Sequence, residues 1–218
     1  MDLGIKGKYA LVTGGSHGIG YSTALALAEE GCSVAICARN KERVEKTVAE
    51  LKSKGVDSIG ISADVAIPSD VQRVMKSVID SWGTIHILVN NVGGGGRWGS
   101  DVVEETPEEV WLEVYNKNAL AAIRFTMLAI PFMRKQKWGR VVTITSIYGR
   151  EGGGRPWFSM AKSAQTILMK ALALKHYLSR DGITFNSVAP GAIMIPAGTS
   201  NVNKTQEKSR KCWSKDFR

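Results

Sequence analysis

The sequence predicts an α/β fold with a doubly wound parallel sheet of about six strands. Three observations carry this. Short apolar runs alternate with amphipathic stretches along most of the chain, the pattern of βαβ units. A glycine cluster closes the first apolar run and opens the first amphipathic one. The 218 residues, 44% hydrophobic and 22% charged, suit one domain with a real core and exclude a disordered or collagen-like chain.

Each element has its own reason. Lys8–Thr13 (KYALVT) reads as a buried strand, and Gly18–Glu30 as a helix rich in Ala and Leu. Ser33–Ala38 is a second strand. Lys41–Lys54 is a helix with Glu42/Lys46 and Glu50/Lys54 at i,i+4, acid before base. Asp57–Ile61 is a third strand. Pro68–Trp82 is a helix with Pro in its first turn and Asp70 near its start. His86–Val89 is the fourth strand, followed by glycines 93–96 and Gly99. Thr106-Pro107-Glu108-Glu109 signals a helix start with Thr as cap, and that helix runs to about Lys135. Arg140–Thr145 is the fifth strand. A second Gly-rich loop, Gly149–Gly154, leads into a helix from about Trp157 to Arg180, and Gly182–Val188 is the sixth strand.

The net charge of +9 is unevenly spread: residues 201–218 hold six bases and two acids, leaving +5 on the other 200 residues. With no basic stripe in the body, nucleic acid is not the expected partner. Cys32, Cys37 and Cys212 lack metal or redox spacing, so no metal is expected and a reducing, cytoplasmic setting fits. No signal-type or membrane-spanning segment is expected; the longest uncharged stretch, Ile183–Asn203, is interrupted by Pro190, Gly191, Pro196 and Gly198.

The chemistry begins at Thr13-Gly14-Gly15-Ser16-His17-Gly18-Ile19-Gly20. Here a strand passes through a glycine turn into a helix. Gly14 permits the tight turn, Gly18 lets backbone approach a pyrophosphate, and Gly20 lets the helix pack on the strand. The helix N-terminus then faces phosphate. The spacing is GxxxGxG, and the context is that of a Rossmann dinucleotide site. The second strand ends Cys37-Ala38-Arg39-Asn40, with no acid to take ribose hydroxyls. Arg39 suits a 2′-phosphate, so NADP(H) is expected over NAD(H), the other reading being a surface arginine that caps the next helix. Asp64-Val65, after the third strand, have two readings: they flank the adenine, or Asp64 is only a turn residue before the next helix.

Taken in order, Thr13–Gly20, Asp64-Val65, Asn90-Asn91-Val92-Gly93, Asn118, Ser146, Lys162 and Pro190-Gly191 resemble the short-chain dehydrogenase/reductase family over roughly residues 5–195. The resemblance is to NADP-dependent members of the 3-oxoacyl-carrier-protein reductase or sugar/polyol dehydrogenase type. It implies hydride transfer between NADP(H) and a small carbonyl or alcohol substrate. It places Asn91-Val92-Gly93 beside the cofactor ribose, with Val92 where the family has alanine. Asn118 would hold a water in a proton relay. Ser146 would orient the substrate oxygen, and Lys162 would bind the nicotinamide ribose. Pro190 and Gly191 would lie near the pyrophosphate and carboxamide. A homodimer or homotetramer through the helices over 107–135 and 157–180 is implied as well.

One position departs. The family has a tyrosine one turn before the lysine; this chain has Phe158. A phenol beside a cation is a usable acid near neutral pH, and phenylalanine is not. Three readings stay open: another hydroxyl serves, Tyr148 or Ser159; the protein binds cofactor but catalyses weakly, in a sensing or interaction role; or the chemistry needs no phenol. Arg97, Trp98, Arg155 and Trp157 on the Gly-rich loops are either a substrate wall or a packing surface. After Pro190-Gly191-Ala192-Ile193 the chain reads Met194-Ile195-Pro196, with Thr199 further on, where the family carries threonine earlier. The expected organisation is a dinucleotide-binding domain over 1–200 and a basic tail over 201–218, with the family's substrate lid and seventh strand missing.

Overall fold

The computed structural model describes residues 2–193. The expectations for Met194, Ile195, Pro196, Thr199, the tail over 201–218 and Cys212 lie outside the described residues, as do those for the lid and seventh strand.

Six strands form one parallel sheet: β1 (Tyr9–Thr13), β2 (Ser33–Ala38), β3 (Ser58–Ser62), β4 (Ile87–Asn90), β5 (Gly139–Ile144) and β6 (Ile183–Val188). Their order is β3-β2-β1-β4-β5-β6. The chain winds outward from β1 to β3, then returns to the other side of β1 with β4. The switch point therefore lies between β1 and β4, where a crevice opens at the strands' carboxyl ends.

The strands divide their side chains by alternation. Leu11, Ala35, Cys37 and Leu88 face one core, with Phe125, Ala129 and Met133 of α5 (Ala121–Lys135) and Val71, Val74 and Val78 of α3 (Pro68–Trp82). Ala10, Val12, Val34, Ile36, Ile87 and Val89 face the other, against α1 (Gly18–Glu29) and α2 (Lys41–Ser53). Cys32 and Cys37 are buried free thiols, and burial pushes the Cys37 thiol up to about 12. They are core residues. Beyond β6 on its outer side no strand stands among the described residues, and Thr184, Asn186 and Val188 are exposed.

Several sequence expectations are refined. The helix expected from Thr106 begins instead at Glu108 as α4 (Glu108–Tyr115), with Pro107 before it. Thr106 does not cap it; its Oγ1 is turned back to accept from the Ser100 amide at 2.9 Å. Between α4 and α5 the chain makes a π turn, Asn116–Leu120. The reason is local. Asn118 Nδ2 bonds the Val114 carbonyl at 2.7 Å, the acceptor its own backbone N–H would use in an α-helix. The helix expected to reach Arg180 also divides, into α6 (Pro156–Ala173) and α7 (His176–Arg180), with extended Lys175 between them and Leu178 carried into the core. On α2 the ion pairs differ from the expected ones: Lys41 meets Glu45, Lys54 meets Glu29 from α1, and Glu50 accepts from the Tyr21 hydroxyl. Exposed pairs of this kind contribute little.

Phe125 is 1% exposed in the face of α5 that covers the sheet. Phe125→Ala should cost about 3–5 kcal/mol, read as a lower denaturation midpoint at an unchanged m-value.

Candidate functional site

The glycine loop is built by a clamp between β1 and β4. Thr13, 2% exposed, accepts at Oγ1 from the Asn91 amide (2.9 Å) and the Val92 amide (3.1 Å), and donates to the Val89 carbonyl (3.3 Å). The Asn91 side chain returns the contact. Its Nδ2 donates to the Thr13 carbonyl at 2.9 Å and to the Gly14 carbonyl at 3.3 Å. This explains the glycines. Gly14 sits at φ +66°, and a Cβ there would lie 2.9 Å from Asn91 Nδ2. A Cβ on Gly20 would run into the Gly14 carbonyl and the same Nδ2. A side chain at either position breaks the clamp.

The turn delivers the N-terminus of α1 to the crevice. His17 flanks the helix in extended conformation and its side chain makes no cap. The first amide groups of the helix are thus left for an anion. A cleft of about 460 Å³ runs from there along the carboxyl ends of the strands. Of the sequence-chosen residues it collects Gly14, Ser16, His17, Arg39, Asp64, Val65, Asn91, Val92 and Gly93. Gly18 and Ile19 line a separate apolar groove on the outer face of α1, and Gly20 is buried against the turn. Pro190 lies across the switch point at the end of β6, where its carbonyl accepts from the Ile147 amide at 3.2 Å; Gly191 follows it, exposed.

The rim of the cleft is cationic at one end. Arg39 is exposed, and it does not cap α2; Asn40 does, accepting from the Arg43 amide at 2.8 Å. Arg43 joins Arg39 on the cleft wall, one helical turn further on. Asp64 uses one carboxylate oxygen to hold the Ala66 amide at 3.0 Å. Lys117 also lines the cleft, with its ammonium 4.6 Å from the centre of the Trp98 ring. Burial and the nearby Arg39 charge hold the Lys117 ammonium below the ordinary lysine range.

At the other end the cleft is bounded by Gly93; Lys162, Asn118 and Ser146 do not line it, and the first two stand directly behind that glycine. A Cβ on Gly93 would lie 2.8 Å from both Lys162 Nζ and Asn118 Oδ1, so the bare glycine is what lets these groups approach the crevice together. Lys162 is 4% exposed. Its Nζ donates to the Ile144 carbonyl (3.0 Å) and to Gln165 Oε1 (2.9 Å). Burial lowers its pKa from 10.5 to about 8. Asn118 is wholly buried: its Nδ2 donates to Val114 and Gly94 carbonyls, its Oδ1 accepts from the Gly94 amide, and its backbone carbonyl accepts from Gln165 Nε2 at 3.0 Å. Ser146 follows β5, half-buried, with its Oγ accepting from the Tyr148 amide at 3.2 Å.

Phe158 packs where its position on α6 predicts, one turn before the lysine. The Lys162 ammonium stands 5.7 Å from its ring centre, and Gly96 lies against the ring. Trp157 beside it is fully buried and donates from Nε1 to the Gly95 carbonyl at 3.3 Å, which fixes the glycine loop over the site. Trp157 is thus a packing residue. Trp98 packs against the same cluster and is half-buried. Arg155 pairs with Asp101 and the Ser100 carbonyl, while Arg97 is exposed. The two hydroxyls near Phe158 fare differently. Ser159 Oγ donates to the Gly153 carbonyl at 2.7 Å. The Tyr148 ring lies on Gly153 and Gly154, and its hydroxyl makes no hydrogen bond among the described residues.

The sequence reading did not single out Gln165, Lys117, Arg43 or Asn40. Gln165 had one signal: a polar residue three positions after Lys162, on the same face of a largely apolar helix.

An uncapped helix N-terminus, a turn that excludes side chains and a cleft at the switch point of a parallel sheet define a dinucleotide-binding α/β protein, and these residues fit such a cofactor. Among the described residues no cluster suits a metal ion, and no helix is long and apolar enough to cross a membrane. The family model for short chain dehydrogenase matches residues 8–207. The chain belongs to that family of oxidoreductases. It is 38% identical over 188 residues to the 3-oxoacyl-acyl-carrier-protein reductase FabG of Staphylococcus aureus, which covers 86% of this chain and 75% of that protein. Among solved structures it is similar to L-sorbose reductase from Gluconobacter frateurii complexed with NADPH and L-sorbose. There the identity is 33% and the TM-score 0.84, covering all of this chain and 78% of the other. NAD+-bound xylitol dehydrogenase is similar at 32% identity and TM-score 0.79, covering 86% of this chain and 71% of the other.

Among the described residues the buried Lys162 ammonium has no carboxylate partner, so it should weigh on the fold. At about 1.4 kcal/mol per pH unit, the depression from 10.5 to about 8 corresponds to about 3 kcal/mol. Because the folded pKa lies below the unfolded one, the unfolded chain holds the proton more tightly between those values. Stability should therefore rise as pH passes from about 8 towards 10.5. In Lys162→Met that rise should vanish, with higher stability at pH 7, measured by denaturant titration at several pH values.

Proposed function

We propose that this protein is an NADP(H)-dependent oxidoreductase that reduces a small carbonyl substrate, or oxidises the matching alcohol. The observation that carries this is the meeting of the dinucleotide cleft with Lys162 and Asn118 at Gly93. When bound, the cofactor supplies a hydride at its nicotinamide ring. The chain's own residues do the rest. The turn from Gly14 to Gly20, with Ser16, His17, Gly18 and Ile19, holds the pyrophosphate on the α1 amides. Arg39 pairs the 2′-phosphate, with Arg43 beside it. Asp64 and Val65 flank the adenine, and Asn91, Val92 and Gly93 border the ribose. Pro190 and Gly191 close the far wall. Lys162 borders the nicotinamide ribose, Ser146 directs its hydroxyl to the substrate oxygen, and Asn118 fixes the π turn and supports proton transfer.

The preference for NADP(H) rests on the rim of two arginines and on the absence of an acid at the end of β2. The relatives support both the class of cofactor and the carbonyl substrate: one is named a 3-oxoacyl reductase and another was solved with NADPH and a ketose. The xylitol dehydrogenase with NAD+ is the counterexample within the same fold, so the charge at the rim is what decides. The division into a cofactor domain over 1–200 and a tail over 201–218 belongs to the same proposal. So does a homodimer through the outer faces of α4, α5 and α6, where Leu112, Met127 and Ile167 are exposed.

Arg39→Leu should weaken NADPH binding by about 10-fold or more, one charge-assisted phosphate contact, and leave NADH binding little changed. Titration of cofactor fluorescence reads both. Equal losses for the two cofactors would refute the assignment. The activity is tested by NADPH oxidation over a panel of ketones, ketoses and 3-oxoacyl thioesters, with the native chain and with Phe158→Tyr. Native turnover with less than about a 10-fold gain in the variant is the expected outcome, since a general acid otherwise contributes about 10²–10⁴-fold. A native chain that binds NADPH yet is inert, with activity restored by the tyrosine, would overturn it.

A further inference from the structure

The proposed reduction leaves a proton unaccounted for. The oxygen of the reduced carbonyl must be protonated, and the ring of Phe158 has nothing to give. Ser159 donates to a loop carbonyl instead, and Tyr148 lies on the glycines of its own loop. Ser146 bears a hydroxyl as well, but an alcohol is no net acid near neutral pH, which leaves the ammonium of Lys162 as the cationic proton source at this point.

We infer that Lys162, aligned by Gln165, is itself the acid that protonates the substrate oxygen. The inference rests on the proposed carbonyl reduction. Three features of the geometry carry it. Lys162 Nζ is pinned at two of its three N–H groups, by the Ile144 carbonyl and by Gln165 Oε1, and the third has no acceptor among the described residues. Gly93 of the cleft lining lies against it, and a side chain there would stand 2.8 Å from Nζ. Gln165 is wholly buried and has both ends engaged: its Oε1 accepts from Lys162 and its Nε2 donates to the Asn118 carbonyl. It joins the π turn to the lysine as a rigid strut, so it is a positioning residue.

The surroundings keep the ammonium acidic. Among the described residues no carboxylate faces it from any packed element. β5 offers the Ile144 carbonyl, the loop after β4 offers Gly93, and its own helix offers Phe158 and Gln165. The π turn offers Asn118, whose titratable neighbour Lys117 is turned to Trp98. The turn after β5 carries Tyr148, held on the glycine loop. Burial is the one cause of the lowered pKa, about 8. The step balances. The carbonyl carbon takes the hydride with its electron pair, the C=O π pair moves to oxygen, and that oxygen takes a proton from Nζ. One N–H bond breaks, one O–H bond forms, and the neutral amine is reprotonated from solvent. The dihydronicotinamide is oxidised and the carbonyl reduced.

The test uses the full chain with NADPH and a carbonyl found in the panel. In the native protein, kcat should hold steady at low pH and fall about 10-fold per pH unit above roughly 8. Lys162→Arg keeps the charge but does not release its proton. Its kcat should drop by about 10²–10⁴-fold, well beyond any accompanying loss of NADPH affinity read by fluorescence. Gln165→Glu sets a carboxylate against the ammonium and raises its pKa. The falling limb should move to higher pH, and the lysine 13Cε resonance should titrate later by the same amount, a readout independent of turnover. A limb that stays in place in Gln165→Glu, or a Lys162→Arg variant within 10-fold of native kcat, overturns the inference and leaves the reductase reading intact. A native chain that binds NADPH and reduces no carbonyl overturns both.

Discussion

The site depends on one buried contact, the exchange of hydrogen bonds between Thr13 at the end of β1 and Asn91 just past β4. These two strands are neighbours only because the sheet reverses its order there. Each carries a loop that must sit at a defined height above the sheet. Thr13 Oγ1 takes the first two amides of the β4 loop, and Asn91 Nδ2 takes the carbonyls of the β1 loop. Neither loop has regular structure of its own to hold it. Reciprocal hydrogen bonds fix both and match the loops' own amides and carbonyls, which are costly when orphaned, although Asn90 Oδ1 just before them has no partner among the described residues.

The rest follows outward from that clamp. With the first loop fixed, α1 starts where its amides face the crevice. With the second fixed, Gly93 passes close to Lys162 and Asn118. The π turn then completes the far side: by giving its side chain to the Val114 carbonyl, Asn118 widens one turn of helix and buries itself against Gly94. The glycines are a consequence of this crowding. Gly14, Gly20 and Gly93 each stand where a Cβ would displace a hydrogen-bonding group rather than a yielding hydrocarbon.

Much of this was legible in the sequence because it rests on periodicity and on residue types with few alternatives. Strand alternation placed all six strands to within a residue or two, and the GxxxGxG turn placed the crevice. What escaped has a common physical origin. Thr106-Pro107 has the composition of a helix cap, but a buried contact with Ser100 recruits the threonine elsewhere. The π turn is set by which donor wins one carbonyl, and no pattern of hydrophobicity records that. Gln165 is similar: a glutamine in a helix is ordinarily a solvated residue, and only the fold shows that it bridges two elements. The Lys117–Trp98 contact spans a loop and a turn that no local rule brings together.

The placement of Phe158 bears on why a lysine here should differ from one beside a phenol. A phenol next to an ammonium shares its charge: each lowers the cost of ionising the other, and the pair titrates together. A phenyl ring offers only its π face, and at 5.7 Å from its centre that attraction is weak. The ammonium of Lys162 is therefore balanced by two neutral oxygens alone, which is less than a buried charge needs to keep its ordinary pKa. The substitution that removes the expected acid also removes the partner that would have kept the lysine firmly charged. The same change that empties one role makes the neighbouring group fit to take it.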